Sequence, residues 1–483
     1  MRILGDLQPA KVFYYFEEIS RIPHGSGNTK KISAYLTDFA RERGLEHIQD
    51  EAGNVIIMKA ATPGYETEPA LILQGHMDMV AVQTPDSTKD MTIEGLELSI
   101  DGDYVYAKET SLGGDDGIAI AYALAILDAD DLKHPALEVV ITVDEEIGLL
   151  GAGVIDLSML KGSRMINLDS EEEGIFWTSC AGGATADCKI EVKREKIEGI
   201  KLHVLLHGLQ GGHSGCEIHK EHGNSNAMAG RMLYALAGKY EPALMFVNGG
   251  LADNAIPRQT EMVLVVPEEN VDAVQADIQH MAVALREEMG VKDPEFAVTV
   301  CVRESGCFEA VTVEDTRRAA AFVHGMPAGV QAMSADIPGL VETSLNMGIL
   351  CMEENCLHGK FSVRSSVESA KEALLRKLEA ICVLAGGSMV VTGEYPGWKY
   401  RTDSPLRDKM VRVYQEMYGS MPRVEAIHAG LECGILGSKI QDLDCVSMGP
   451  DMYNVHTTEE KLSISSTAKV WEYLVRLLEE KDK

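Results

Sequence analysis

Apolar residues in the first part of the chain follow two alternating spacings, and this alternation predicts the order of helices and strands. Spacings of three and four over residues 7–21 and 28–43 are typical of amphipathic helices. Short apolar runs between helical segments predict strands at residues 54–58, 70–73, 137–143 and 165–168. Strands that alternate with helices indicate an α/β fold with a mostly parallel sheet and helices on both faces.

One predicted helix, at residues 116–127, differs from the others because nearly all its positions are apolar. Residues 118–127 carry no charged side chain, so we expect this helix to be buried on all sides. The uncharged run is still much shorter than the ~20 residues that a membrane span needs.

The pattern changes near residue 187. Residues 188–193 and 201–206 alternate apolar with polar side chains, as half-exposed antiparallel strands do. Helical spacing returns at 226–240, 271–289 and 367–385, and an amphipathic helix at 467–480 closes the chain. The sequence therefore predicts a catalytic domain formed by residues 1–186 and 397–483, interrupted by an inserted α+β domain at residues 187–396.

Composition narrows the possible functions and partners. The 483 residues carry 75 acidic and 44 basic side chains, a formal charge of −31, and such an acidic protein repels nucleic-acid phosphates. The ten cysteines lack zinc-knuckle spacing, and the first residues lack the apolar run of a signal peptide. We therefore expect reduced thiols and a cytoplasmic location, with no nucleic-acid or membrane partner.

Residues that could carry chemistry follow the predicted strands, where ligands of parallel sheets collect. His76 and Asp78 follow the strand at 70–73, and a carboxylate near a histidine can accept its second ring N–H and fix the tautomer of a metal ligand. Asp115 and Asp116 precede the apolar helix. They could cap that helix, since aspartate is a favoured N-cap residue, or Asp115 could bridge two metal ions through its two oxygens.

Four more residues have a similar placement. Glu145 and Glu146 follow the strand at 137–143; in extended backbone their side chains would point to opposite sides, one toward a metal and one toward a water. A solvated acidic loop is the alternative. Asp169 follows the next strand, and His456 lies in a late loop. Two imidazoles with three carboxylates suit two divalent ions, and a spare glutamate can act as a general base.

This order of residues resembles the di-zinc metallopeptidases that include aminoacylases, carboxypeptidases and dipeptidases. Within them it is most similar to the Xaa-His dipeptidase (aminoacyl-histidine dipeptidase, carnosinase-like) branch. The resemblance runs along nearly the whole chain. The strings that carry it are Ile22-Pro-His24, Gln74-Gly-His76-Met-Asp78, Leu112-Gly-Gly-Asp115-Asp-Gly, Asn167-Leu-Asp-Ser, Gly211-Gly-His213-Ser-Gly215, Asp253-Asn254-Ala-Ile-Pro257, Val341-Glu-Thr-Ser-Leu-Asn346, Tyr395-Pro-Gly-Trp398 and Ile427-His-Ala-Gly-Leu-Glu-Cys-Gly434.

The resemblance implies a mostly parallel-sheet di-metal peptidase domain and a role for each residue in its motifs. Asp115 would bridge two ions, zinc most readily and cobalt or manganese otherwise, and its peptide bond to Asp116 would be cis. Asp78 would orient the first histidine, and Glu145 would be the general base. The implied metal ligands are His76, Asp115, Glu146, Asp169 and His456.

The inserted domain resembles the lid of that family. His213 would stabilise the oxyanion, from its own chain or across a homodimer formed through the lid. Asn254, Arg364 and Gly430 would bind the C-terminal carboxylate or the scissile carbonyl of the substrate.

These roles together predict a metal-dependent hydrolase of Xaa-His-type dipeptides such as β-Ala-His. One alternative is a broader di- or tripeptidase, or an N-acyl amino acid amidohydrolase, of the same family. The other is an inactive metal- or peptide-binding scaffold. A missing ligand or base would favour the scaffold, but every motif position is filled.

Overall fold

The computed structural model describes residues 2–482. Its helices are α1 (Ala10–Ser20), α2 (Lys30–Glu42), α3 (Gly114–Asp128), α4 (Leu150–Val154), α5 (Ser225–Ala237), α6 (Val271–Met289), α7 (Val313–Gly325), α8 (Glu368–Leu384), α9 (Pro405–Tyr418), α10 (Glu432–Lys439) and α11 (Ile464–Glu479). Its strands are β1 (Glu46–Gln49), β2 (Val55–Lys59), β3 (Leu71–His76), β4 (Leu98–Asp101), β5 (Tyr104–Ala107), β6 (Leu137–Thr142), β7 (Arg164–Asn167), β8 (Ile175–Cys180), β9 (Gly182–Glu191), β10 (Arg194–His207), β11 (Gly212–His213), β12 (Ala243–Gly249), β13 (Ala255–Ile256), β14 (Thr260–Val266), β15 (Ala297–Val311), β16 (Gly329–Met333), β17 (Val341–Glu353), β18 (Cys356–Ser365), β19 (Ser388–Tyr395), β20 (Arg423–Ile427), β21 (Asp444–Ser447), β22 (Met452–Tyr453) and β23 (Lys461–Ser463).

These elements form two compact units. The first comprises the described residues of Met1–Ser179, Tyr400–Ala426 and Leu431–Lys483. The second comprises Cys180–Lys399 and Ile427–Gly430. The domain boundaries inferred from the sequence, at residues 187 and 396, stay a prediction.

The main sheet of the first unit has a parallel centre. Its strand order is β1-β2-β6-β3-β7-β21-β8-β20, in which β6, β3, β7 and β21 run parallel. The pairs β1–β2, β2–β6 and β21–β8 are antiparallel. β3 and β6 are buried at every position, because both faces of a central parallel strand are covered. The predicted α/β class is confirmed, with antiparallel strands outside the parallel centre.

The core of the first unit packs α1 against α3. As predicted, α3 is buried almost throughout. Gly117 permits the close approach of the two helices, because a Cβ at this position would lie only 3.3 Å from side-chain atoms of Phe16 and Ile19. No helix among residues 2–482 is long and apolar enough to cross a membrane.

A second, smaller sheet completes the first unit near its late loops. A four-stranded sheet has the order β22-β23-β5-β4, with antiparallel pairing of β22 with β23 and of β23 with β5. This sheet joins the end of the chain to the segment before α3, so it brings distant parts of the sequence together.

The second unit is built on a nine-stranded sheet. Its main path is β15-β10-β14-β12-β17-β18-β9-β19, and β16 pairs with β17. Burial alternates along β10, as expected for a strand with one face toward a core. That core contains Met232 of α5, Ile278 of α6, Phe322 of α7 and Leu378 of α8. The second unit is therefore α+β, with its helices on one face of the sheet.

Candidate metal centre

Three neighbouring parallel strands supply most of the predicted ligands. His76 ends β3, Asp169 lies two residues after β7, and Glu145 and Glu146 follow β6. Because β6, β3 and β7 are adjacent and parallel, their loops open at the same edge of the sheet. The strand ends therefore bring residues from distant sequence positions into one cluster.

The two glutamates lie in a turn and not in the extended backbone that the sequence suggested. β6 ends at Thr142, and Asp144 has a φ of 52°. The N–H groups of Gly148 and Leu149 donate to the carbonyl oxygen of Glu145. The turn presents both carboxylates to His76: ligand atoms of His76, Glu145 and Glu146 lie within 4.8 Å of one another.

Asp115 lies between two histidines at the start of α3. The backbone angles of Asp115 and Asp116 are not helical, and no side chain caps this helix. The Asp115–Asp116 peptide bond is cis, as expected. Asp115 Oδ1 lies 3.1 Å from His76 Nε2, and its Oδ2 lies 3.0 Å from His456 Nε2. The carboxylate thus faces two separate nitrogen donors and does not cap the helix.

Each oxygen of Asp115 has a further acidic side chain near it. On the Oδ1 side, Asp169 Oδ1 lies 3.7 Å from His76 Nε2. On the Oδ2 side, Glu146 Oε1 lies 2.9 Å from His456 Nε2. One carboxylate shared by two donor clusters is an arrangement that could hold two bridged divalent ions.

The donor atoms fit cations better than they fit one another. Glu146 Oε1 is buried and accepts no hydrogen bond, although His456 Nε2 is close to it. A buried charged oxygen without a partner is costly. A divalent ion could be coordinated by both atoms, and imidazole nitrogens with carboxylate oxygens are donors that zinc accepts. These residues therefore fit a metal centre.

The electrostatics of the cluster also favour a bound cation. Burial, together with the neighbouring carboxylates, raises the pKa of Glu145 to about 8. Burial likewise raises the pKa of Asp169 well above its usual range. The nearby carboxylates of Asp115 and Glu146 raise the pKa of His456 to about 11. The raised pKa values of the carboxyl groups reflect how costly it is to bury several carboxylates close together. A divalent ion bound among them could supply the positive charge that stabilises their ionised forms.

Asp78 contacts both His76 and the turn that carries Glu145. The nearest acceptor to His76 Nδ1 is the main-chain oxygen of Asp78, at 2.9 Å, while the Asp78 carboxylate lies 3.5 Å away. That carboxylate accepts the N–H of Glu145 at 2.9 Å and the hydroxyl of Ser26 at 2.8 Å. Asp78 therefore also positions the turn after β6, a contact that the sequence did not suggest.

Two of the remaining predicted residues lie side by side in the second unit. His213 pairs with Ala255 across β11 and β13, and the carbonyl oxygen of Asn254 accepts the N–H of Ser214. A cavity of about 600 Å³ is lined in part by His213 and Asn254. Burial and the charge of Arg364 lower the pKa of His213, which favours the neutral imidazole.

Arg364 and Gly430 are both next to Tyr395 of the second unit. Arg364 Nη1 donates to the Tyr395 hydroxyl at 3.1 Å. A Cβ at Gly430 would lie 2.8 Å from Cε2 of the same ring, so only glycine leaves space for this packing. The tyrosine thus joins the two predicted carboxylate-binding positions.

Glu432, to which no sequence pattern gives a role, is fully buried. Glu432 Oε2 accepts hydrogen bonds from Gln74 Nε2 at 2.5 Å and from Thr142 Oγ1 at 2.6 Å. Asn167 Nδ2 donates to Gln74 Oε1 at 2.6 Å. This chain of bonds crosses β6, β3 and β7 at the ends that carry the candidate ligands. A single glutamate at a helix start gives no sequence signal of such a contact.

Two other acidic residues near the ligands were also missed. Asp116 Oδ2 accepts the N–H of His76 at 3.1 Å, and ligand atoms of Asp116, His76 and Asp169 lie within 4.8 Å of one another. Glu460 binds backbone N–H groups of the Asp115 loop. Their positions in the sequence could have indicated both residues. Asp116 is adjacent to Asp115, and Glu460 lies in the same loop as His456.

Comparisons with known proteins find relatives along the whole chain. A model of the peptidase family M20/M25/M40 matches residues 72–480. The cytosol non-specific dipeptidase of Escherichia coli (strain K12) is 34% identical over 486 residues, which cover 99% of each chain. The crystal structure of aminoacylhistidine dipeptidase from Vibrio alginolyticus has 35% identity and a TM-score of 0.93 over 99% of each chain. The aminopeptidase PepT of Bacillus cereus, at 18% identity and a TM-score of 0.60 over 98% of each chain, shares the fold. The resemblance inferred from the motifs is thus confirmed, and the chain belongs to the peptidase family M20/M25/M40.

Proposed function

We propose that the protein is a metal-dependent dipeptidase that hydrolyses Xaa-His-type dipeptides at a centre for two divalent ions. The observation that carries this proposal is the position of Asp115, with one oxygen 3.1 Å from His76 and the other 3.0 Å from His456. Family membership and the dipeptidase names of two relatives support peptide-bond hydrolysis.

The proposed ligands divide into two sets that share Asp115. His76 and Asp169 would complete the first set, and Glu146 and His456 the second. Zinc is the expected ion, with cobalt or manganese as alternatives, since all three accept nitrogen and carboxylate donors. When bound, such an ion polarises a carbonyl group and lowers the pKa of water.

Glu145 is the proposed general base. It would accept a proton from the attacking water and pass that proton to the leaving amine. The hydrogen bond from its N–H to Asp78 fixes the turn from which the carboxylate extends. A base whose pKa is raised toward neutrality suits this transfer, because it can both take and return a proton near pH 7.

His213 is the proposed donor to the oxyanion. Its Nδ1 accepts the N–H groups of Gly215 at 3.3 Å and Cys216 at 3.1 Å. In the neutral ring the proton therefore belongs on Nε2, which is free to donate. Arg364 would bind the substrate's C-terminal carboxylate through its guanidinium. Asn254 and Gly430 would bind that carboxylate or the scissile carbonyl.

The proposed biological context is a cytoplasmic homodimer formed through the second unit, with a small peptide as the partner. The name of the Escherichia coli relative supports the location. In such a dimer His213 could act on its own chain or on the second copy. Light scattering of the purified protein tests the dimer.

A broader dipeptidase is the second candidate, because the Escherichia coli relative is named as non-specific. The test compares kcat/KM on β-Ala-His, Gly-His, Leu-Gly and an N-acetyl amino acid, with metal content measured in the same buffer. We expect the highest values on the two histidine dipeptides. A kcat/KM on Leu-Gly equal to that on the histidine dipeptides would support broad specificity. Hydrolysis of the N-acetyl amino acid alone would indicate an amidohydrolase. If the two-metal protein cleaves none of them, the scaffold alternative replaces the enzyme.

A further inference from the structure

We propose that Glu460 is a positioning residue that holds the Asp115 loop and the His456 loop together and so completes the metal position on the Oδ2 side of Asp115. The inference rests on the proposed function, since it concerns one of the two proposed ion positions. It adds a residue that makes no contact with the ion and that neither the motifs nor the relatives' names identify.

The carboxylate of Glu460 is enclosed by backbone N–H groups. Glu460 Oε2 accepts the N–H of Leu112 at 2.8 Å and that of Gly113 at 3.1 Å. Its Oε1 accepts the N–H of Gly114 at 2.8 Å, and the N–H of Asp115 lies 3.4 Å away. Consecutive N–H groups that converge in this way form an anion-binding concavity. The side chain is almost fully buried, so water does not replace these bonds.

Two glycines shape the concavity. Gly113 has a φ of 66°, a conformation that other residues rarely adopt. A Cβ at Gly114 would lie 3.3 Å from Glu460 Oε1 and 3.1 Å from the sulphur of Met452. The glycine pair therefore lets the chain curve around the carboxylate at the position just before the bridging aspartate.

The loop that carries His456 depends on such an anchor. It connects β22 to β23, and His456 has a φ of 63° and a half-exposed side chain. Local bonds such as Thr457 Oγ1 to the Asn454 carbonyl oxygen, at 2.7 Å, stay within the loop. Glu460 instead reaches to the Asp115 loop and joins the two segments that supply Asp115 and His456.

The two ion positions differ in how their ligands are supported. His76 and Asp169 extend from β3 and β7, which pair directly. His456 and Asp115 lie on loops that are joined through Glu460. In Glu460→Gln an amide N–H₂ would face backbone N–H donors, and the loops would separate. We therefore expect weaker binding of the ion nearer His456, while the ion nearer His76 keeps His76 and Asp169, which extend from paired strands.

The test measures zinc stoichiometry and affinity of the full chain, with chelator competition at buffered free zinc. The matched control is Glu138→Gln. Glu138 is also buried and accepts two backbone N–H groups, from Lys161 at 2.8 Å and Gly162 at 2.9 Å, but it lies near the start of β6, at the opposite end from the centre. We expect two ions in the wild type and in E138Q. In E460Q the ion nearer His456 should bind about 10–100-fold more weakly, because removing a residue that supports metal ligands typically lowers metal affinity by that factor.

The outcomes separate this inference from the proposed function. If the wild type and E460Q both bind two ions with equal affinity, Glu460 is not a positioning residue, although the proposed centre stands. Equal weakening of both ions in E460Q, or the same loss in E138Q, also overturns the inference. A wild-type chain that binds fewer than two ions overturns both proposals. If E460Q does not fold, E460D keeps the charge with a shorter reach; wild-type affinity for both ions in E460D would contradict the inference.

Discussion

The substitution Glu145→Gln removes the proposed base and leaves its surroundings in place. Glutamine has the same shape, and the N–H of residue 145 would still donate to Asp78 at 2.9 Å. Glu146 would keep its 2.9 Å approach to His456, so both ions should stay bound. General acid–base transfer contributes about 10²–10⁴-fold, equal to ~3–5 kcal/mol of activation free energy. We expect kcat to fall by that factor with little change in KM.

The assay measures release of the C-terminal amino acid at saturating dipeptide, with metal content determined on the same sample. Glu138→Gln serves again as the control, and it should keep wild-type kcat. A kcat close to wild type in E145Q with two bound ions would refute the assignment of the base. Loss of an ion together with activity would also refute it, because Glu145 would then be a ligand.

Three further predictions concern the supports of the centre. Glu432→Leu removes the buried acceptor shared by Gln74 Nε2 and Thr142 Oγ1, so it should cost ~1–3 kcal/mol of unfolding free energy in denaturant titration; an unchanged free energy of unfolding would contradict the network. Burial, and then the charge of Arg364, lower the pKa of His428 to about 3. The unfolded chain therefore binds more protons below pH ~6.5, and this histidine should remove about 2 kcal/mol of stability between pH 7.5 and pH 5. His428→Gln should not show this loss of unfolding free energy between pH 7.5 and pH 5. The same pH dependence in the variant and the wild type would refute the assignment to His428. Chelation should lower the Tm, and zinc at 100 times Kd should raise it again by adding ~2.7 kcal/mol per site to the free energy of unfolding; equal Tm values would argue against a structural effect of the ions.

Much of the first unit could be predicted because its strands are short, apolar and buried on both faces. The mostly apolar, buried residues of β3 and β6 gave a clear signal, and a parallel sheet then directs the loops that follow to one edge. The position of His76 and of Asp169 after neighbouring strands followed from this pattern, whereas their pairing as metal ligands came from the resemblance. The roles of His213 and Arg364 came from the resemblance, since neither position has a distinctive pattern.

The contacts that the sequence did not suggest all depend on tertiary packing. Gln74 and Glu432 are 358 positions apart, and Leu112 and Glu460 are 348 apart. No local pattern encodes such a pairing. The turn at Glu145 escaped prediction for another reason: the left-handed backbone at Asp144 ends the extended conformation where the apolar run would continue it. The long strands β17 and β18 were not predicted, although they pair with each other as consecutive strands; the other neighbour of β18 is β9, far earlier in the chain.

Anomalous X-ray diffraction at the zinc edge tests the central claim most directly. On crystals of the zinc-loaded protein, two peaks are expected about 3.5–4 Å apart. One should lie beside His76 and Asp169, the other beside Glu146 and His456, with Asp115 between them. A single peak, or peaks remote from these side chains in a protein that still cleaves dipeptides, would contradict the account.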